Sequence, residues 1–283
     1  MKDLIFQRKK YFIRIGGFLF ILFLLVAIFA NFIAPFQLKD RFDPFLPLGL
    51  KHLLGTNDIG NDLFTEFIYG SRITLLVGLL TGVFSVSIGV LIGLFAGYHG
   101  GFIDELLMGI TDVILMIPRI PLIIVLSAFL RPSVGLMILV MSILWWTSTA
   151  RVIRSRTMQI RSMGFVESAR CLGFSGWHIL FYEILPNIVM IIIPEFLITV
   201  ASAMISEASL SFLGLGDPSL KSWGMMIHHA FQRGGFLNGM WWWYIPPGMS
   251  ITLFVLSMVF LSFAFEETEI GMGEEVAIAP FNR

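Results

Sequence analysis

A chain of 283 residues with 57% hydrophobic and only 13% charged side chains, at a mean hydropathy of +0.85, does not read as a water-soluble domain. Its 19 basic and 19 acidic residues cancel, so the balance carries no electrostatic footprint of a nucleic-acid binder. The single cysteine, Cys171, rules out an internal disulfide and a thiolate metal cluster.

A bilayer core is crossed by about 20 apolar residues in helix. Six stretches meet or approach that length: 15–36, 73–98, 111–130, 134–149, 187–213 and 245–265. The fold class they predict is an all-α membrane protein with about six transmembrane helices. Lys2, Arg8, Lys9, Lys10 and Arg14 precede the first stretch. It is longer than a signal-peptide core and has no small-x-small cleavage site, so it is read as a retained span. The second carries Gly78-x-x-x-Gly82 and then Gly89, Gly93 and Gly97 at the same interval. Small residues four apart share a helix face and admit a close neighbour, so this helix is predicted to be buried in the bundle. Pro118 and Pro121 interrupt the third stretch. The fourth is short, and its Trp145 and Trp146 suit an interfacial position. Trp223 and the run Trp241-Trp242-Trp243-Tyr244 are expected to form an aromatic belt at the outer surface.

Basic residues cluster before the first span and, as Arg151, Arg154, Arg156, Arg161 and Arg170, between the fourth and fifth. With six spans both clusters fall on one side, which the positive-inside rule makes cytoplasmic together with both termini. The organisation that follows is a cytoplasmic segment at 1–14, a first span and outer loop at 15–72, a core of five spans at 73–265 and an acidic cytoplasmic tail at 266–283.

The most informative segment is the cytoplasmic loop at 161–186 inside that core. Phe165, Ala169 and Leu172 recur at helical spacing and predict one apolar face. Gly173 is placed to end that helix in a left-handed turn, Ser175 to cap a second short helix, and Pro186 to start the fifth span. The picture is a helix–turn–helix hook with Glu167 exposed, suited to a groove on a partner.

This segment resembles the cytoplasmic EAA loop of ABC importer permeases. Glu167, Ala169, Gly173, Leu185 and Pro186 occupy that pattern's positions, Ser168 replaces its middle alanine, and Glu183 stands where the pattern has Ile. His52 to Asp62, Tyr69 to Gly78, Glu207 to Gly216 and Trp223-Gly224 are similar, in order, to further segments of dipeptide, oligopeptide and nickel permeases. The half resembled is the second, shorter permease of a heteromeric pair. The end departs: a run through Glu266, Glu267, Glu269, Glu274 and Glu275 replaces the family's usual tail.

The resemblance implies a type I permease fold and half of a pore completed by a second permease subunit. It also implies two cytoplasmic ABC ATPase subunits on the EAA loops, an extracytoplasmic substrate-binding protein, and membrane lipid around the whole. No cofactor is expected in this chain; ATP and magnesium belong to the ATPases. Peptides, nickel and oligosaccharides are the substrates the family suggests. The chain has no Gly-x-x-x-x-Gly-Lys-Ser/Thr loop and no His-Glu-x-x-His motif, so it is read as a non-catalytic pore subunit without a metal site.

Two rivals are open at this point. A secondary transporter or channel acting alone shares the spans and the polarity. A rhomboid-like intramembrane serine protease matches Gly173-Phe174-Ser175-Gly176, but needs a histidine base positioned on Ser175. His178 is close in sequence, while His228 and His229 fall across the membrane. Finally, Arg119 between two prolines and Glu195 after Pro194 place charges inside spans. Each must face a partner or a wet cavity. They are candidates for an ion pair or for the translocation path.

Overall fold

The computed structural model describes residues 2–129 and 132–278, with side chains for 9–127, 129 and 132–266. The end of the predicted third span at Leu130, Arg131, and the tail carboxylates of Glu267, Glu269, Glu274 and Glu275 lie outside the described residues and side chains. The helices in chain order are α1 (Lys2–Ile28), α2 (Ala30–Ile33), α3 (Leu63–His99), α4 (Gly101–Met116), α5 (Arg119–Phe129), α6 (Val134–Arg161), α7 (Gly164–Cys171) and α8 (Gly176–His178). A π-helical turn (Ile179–Ile184), α9 (Leu185–Phe212), α10 (Trp223–Gln232) and α11 (Trp241–Ile278) follow. Among the described residues, five helical segments are long and apolar enough to cross a membrane. The pair α4 and α5 makes a sixth if counted as one span, bent by 73°. The bend has a local cause. Ile117 is extended, as a residue before proline prefers, and Pro121 sits in the first turn of α5, where no N–H is needed.

α3 and α6 outrun their predicted bounds, as α1 does at its start and α11 at both ends. α3 starts at Leu63 rather than residue 73, because Asp62 caps it by accepting from the Thr65 N–H at 2.8 Å. At 37 residues it is about 55 Å long, well beyond a hydrocarbon core of about 30 Å. α6 continues past residue 149 to Arg161, so four of the five arginines assigned to a loop ride on the helix itself. They are partnered there. Arg154 grips Asp104 of α4 through two bonds of 2.5 Å, and Arg151 meets Asp112 at 2.6 Å. Arg161 donates to the Tyr98 carbonyl at 2.7 Å, closing the exposed end of α3. The end of the bundle carrying these arginines is called the basic end here, and the opposite one the far end.

The glycines of α3 serve two neighbours in turn. A Cβ on Gly78 or Gly82 would stand 2.4–2.5 Å from Met204 or Val200 of α9. On Gly89, Gly93 and Gly97 it would stand 2.6–2.7 Å from backbone oxygens of Trp146, Ala150 and Arg154 on α6. The close approach read from the sequence is therefore present, against α9 in the half toward the far end and against α6 toward the basic end.

The tryptophans are where the sequence reading is corrected. Trp145 and Trp146 are 5% and 6% exposed, inside the bundle rather than at an interface. Trp223 and Trp243 are also core residues, at 1% and 0%. Trp223 reaches inward because its indole N–H donates to the Phe67 carbonyl at 3.0 Å and its backbone N–H to the Thr74 hydroxyl at 3.1 Å. Of the expected belt, Trp241 is exposed.

At the far end a polar network seats the loop between α2 and α3 on α3. Buried Glu66 accepts from Asn57 at 3.2 Å and Asn61 at 2.8 Å, and pairs with Lys221 at 2.9 Å. Asp62 meets His52 at 2.9 Å. Burial, aided by Arg233, Lys221 and His228, pushes the His229 imidazole of α10 down to about 3, so it is neutral at physiological pH.

The contact between α3 and α6 yields a direct expectation. Gly93→Leu should lower the detergent-solubilised thermal midpoint markedly, since forcing a side chain into a closed packing surface costs roughly 1–3 kcal/mol or more. Gly109→Leu on α4, where a Cβ meets nothing within 4 Å, is the control and should match the parent. Equal midpoints for both variants would show that the helices are not in contact at Gly93.

Candidate functional site

The hook at the basic end is built from α7, α8 and the π turn. Val166 and Ala169, three residues apart, are buried against Ile153, Ile160, Ile179 and Ile184. The predicted packed face is thus corrected: Ala169 packs, but Phe165 and Leu172 point outward, at 40% and 77% exposed. The reason is that Val166, not Phe165, shares the inward face with Ala169 once the helix packs on α6. The outward surface presents Glu167, Ser168, Leu172, Phe174 and Trp177.

Gly173 takes φ +84°, its N–H donates to the Arg170 carbonyl at 3.0 Å, and Phe174 N–H donates to the Ala169 carbonyl at 3.2 Å. That crossed pair is a Schellman turn, which requires a left-handed residue and therefore favours glycine. Ser175 Oγ accepts from the His178 backbone N–H at 3.3 Å. The His178 ring is stacked between Phe174 and Tyr182, at 4.5 and 4.8 Å. Ser175 therefore acts as a helix cap, and the geometry of a serine nucleophile with its base is not assembled on it.

Pro186 does not begin a helix. Residues 176–212 form one helical run, widened into a π turn just before the proline. Proline has no N–H and crowds the preceding turn. The π turn absorbs this: Leu185 N–H bonds to the Leu180 carbonyl, and the Asn187 side chain donates to the Glu183 carbonyl at 2.6 Å. The hook is thereby fused to α9 without a flexible joint.

Of the two charges within spans, Arg119 donates to the Thr147 hydroxyl at 3.3 Å and stacks over Trp145 at 5.0 Å. Glu195 accepts from the Thr149 hydroxyl at 3.3 Å and borders a cavity of about 590 Å³ between α6, α9 and α11. Among the described residues the two do not form an ion pair; each takes a threonine of α6 instead. No group of three or more His, Cys, Asp or Glu side chains converges as a metal site among the described residues.

The family model for the inner membrane component of binding-protein-dependent transport systems matches residues 89–267, from the glycine stripe through the hook to the end of the last span. The chain belongs to this family. It is a permease subunit of an ABC importer, a multi-pass membrane protein that works with ATPase and substrate-binding partners. ATP hydrolysis is carried out by the partner ATPases. The dipeptide transport system permease protein DppC of Bacillus subtilis (strain 168) is 33% identical over 249 residues, covering 87% of this chain and 77% of that protein. The oligopeptide transport system permease protein OppC of the same organism is 30% identical over 249 residues, covering 87% and 81%. The glutathione transport system permease protein GsiD of Escherichia coli O6:K15:H31 is 37% identical over 227 residues, covering 79% and 75%. A chain of the inward-facing MetNI methionine ABC transporter shares the fold, with TM-score 0.57, 17% identity and coverage of 72% of this permease and 94% of that chain.

In this permease the residues singled out in the loop are gathered on one hook. Glu167 and Ser168 lie on its surface, Ala169 at its packed face, Gly173 at its turn, and Leu185 and Pro186 at its junction with α9. What sequence reasoning missed is the set of side chains that receive the charges. Thr147 and Thr149 look like ordinary span residues, and nothing in their spacing on α6 marks them as partners of charges. Val166 was overlooked because Phe165 is the larger apolar residue.

Gly173→Val should open α7 locally, because a left-handed residue with a Cβ costs roughly 1–2 kcal/mol. Backbone amides of residues 164–175 should then exchange with deuterium about tenfold faster in the purified protein. Since a Cβ at Gly173 meets nothing within 4 Å, unchanged exchange would show that the turn does not depend on the positive φ.

Proposed function

We propose that this permease moves short peptides into the cytoplasm, as half of a pore completed by a second permease subunit. The observation that carries this reading is the hook: a rigid, outward-facing apolar and acidic surface at the basic end, in a chain whose relatives are named for dipeptide, oligopeptide and glutathione transport. The arginine-rich end is the cytoplasmic one by the positive-inside rule, which puts both termini inside and the network around Glu66 outside. Two ATPase subunits engage the two hooks, through Glu167 and the exposed Leu172, Phe174 and Trp177 here. A substrate-binding protein delivers the solute at the far end.

Coupling follows from the fusion of hook and span. When ATP brings the ATPases together, each hook moves with its ATPase, and α9 must move with the hook. The pore then shifts from inward-open to outward-open, a two-state element biased by nucleotide. Arg119 and Glu195 lie along the path on either side of α6, Arg119 offering its guanidinium to an anionic group on the passing solute.

Orientation is checked with the native cysteine. Cys171, exposed on the hook, should resist a membrane-impermeant maleimide in intact cells and react once the membrane is opened. In a Cys171→Ser background, cysteines replacing the fully exposed Leu50 or Leu237 should react without permeabilisation. Labelling of Cys171 from outside would invert the molecule and remove the hook from contact with any cytoplasmic ATPase.

Coupling is checked with Glu167→Lys, which reverses a charge on an exposed helix surface and leaves the fold intact. The variant should assemble with its partners and lose at least about tenfold in substrate-stimulated ATP hydrolysis, as expected when one charged contact at an interface becomes repulsive. Parental coupling in Glu167→Lys would take this residue out of the docking surface.

A further inference from the structure

The cavity beside Glu195 is lined asymmetrically. Arg151, Arg156 and Gln159 of α6 form one wall; Glu195 of α9 with Ser262 and Glu266 of α11 form the other. Its volume of about 590 Å³ falls within the roughly 300–1,000 Å³ usual for small-ligand sites. Glu195 lies ten residues beyond Leu185, about 15 Å along α9, where a carboxylate needs a partner or water. Its hydrogen-bond partner is the Thr149 hydroxyl, which is neutral, and Glu266, a second carboxylate, borders the same cavity. Two carboxylates facing one cavity are relieved by a cation placed between them. Across from them, Arg151 gives one of its five N–H donors to Asp112, leaving others for an anion.

We propose that this cavity is a receiving-side binding site for a zwitterion, which holds the ammonium end of a short peptide between Glu195 and Glu266 and turns its carboxylate toward Arg151. The inference rests on the reading of the chain as a peptide permease and adds a site within the permease itself, apart from the binding protein. An unblocked peptide supplies both charges at once. So does the headgroup of an ethanolamine lipid, and the test separates the two sources.

The complete importer is placed in nanodiscs of phosphatidylcholine and phosphatidylglycerol, without nucleotide or binding protein, and titrated with labelled trialanine. Trialanine should bind saturably. N-acetyl-trialanine, which lacks the ammonium, should bind about tenfold more weakly or worse, the scale of one lost charge-assisted contact. The double variant Glu195→Gln/Glu266→Gln should lose trialanine binding by a similar factor while still co-purifying with its partners. Equal binding of the two peptides by the parent importer overturns the proposal whether or not the double variant assembles. Parental affinity in an assembled double variant overturns it as well. Loss of trialanine binding when phosphatidylethanolamine is added to the discs assigns the cavity to lipid and overturns the peptide reading of it. ATP-driven uptake of trialanine into proteoliposomes with the binding protein is measured in parallel. Uptake without saturable binding in the discs sinks this inference alone, and absence of both sinks the peptide-permease reading with it.

Discussion

The structure depends on backbone touching backbone where α3 passes α6. Gly89, Gly93 and Gly97 leave a groove with no side chain, and α6 lies in it closely enough that its own carbonyl oxygens form the wall. Within a bilayer there is little hydrophobic drive for one apolar helix to prefer another, so such close packing is the principal source of specificity. The contact fixes the rotation of α6 about its axis. That rotation turns Arg151 and Arg154 toward the acids of α4, Thr147 toward Arg119, and Thr149 toward Glu195. The charged features of the basic end are thus consequences of a glycine stripe one helix away.

Much of the hook was legible because its signals are local. A left-handed glycine four residues after an alanine of a short helix, followed by a serine cap, is written in neighbouring residues, and Gly173 and Ser175 do what that chemistry requires. The long apolar spans are equally local. The errors share the opposite property. Whether Trp145, Trp223 or Trp243 sits at an interface or in a core depends on which helices pack against them, and hydropathy is silent on that. Phe165 outranks Val166 in apolar size, yet α7 docks through Val166 because the direction of packing is set by α6 and the π turn. The neutral partners of Arg119 and Glu195 were hidden for the same reason: a threonine in a span carries no mark of what crosses to meet it.

The far end shows the complementary strategy. There the chain is loop, and polar side chains do the joining. Glu66, buried at the start of α3, collects Asn57 and Asn61 from the loop before α3 and Lys221 from the segment after α9. The loop just before α3 and a segment some 155 residues later thus meet on one carboxylate, which adds a polar tie to the apolar packing of Leu63, Trp223 and Trp243 at this end. A buried charge of this kind is costly unless every neighbour is in place, so it also specifies one arrangement of the loops.

The π turn at Ile179–Ile184 has a consequence for how such a machine can change over generations. A π turn is an α-helix carrying one residue too many. Since each residue advances a helix by about 100° (3.6 per turn), loss of a single residue here would swing the whole hook by about that angle around the axis of α9 while barely altering its reach. Aim and reach are therefore separately adjustable. Substitutions on the hook change the surface it presents, whereas one insertion or deletion in this short stretch changes the direction in which that surface faces.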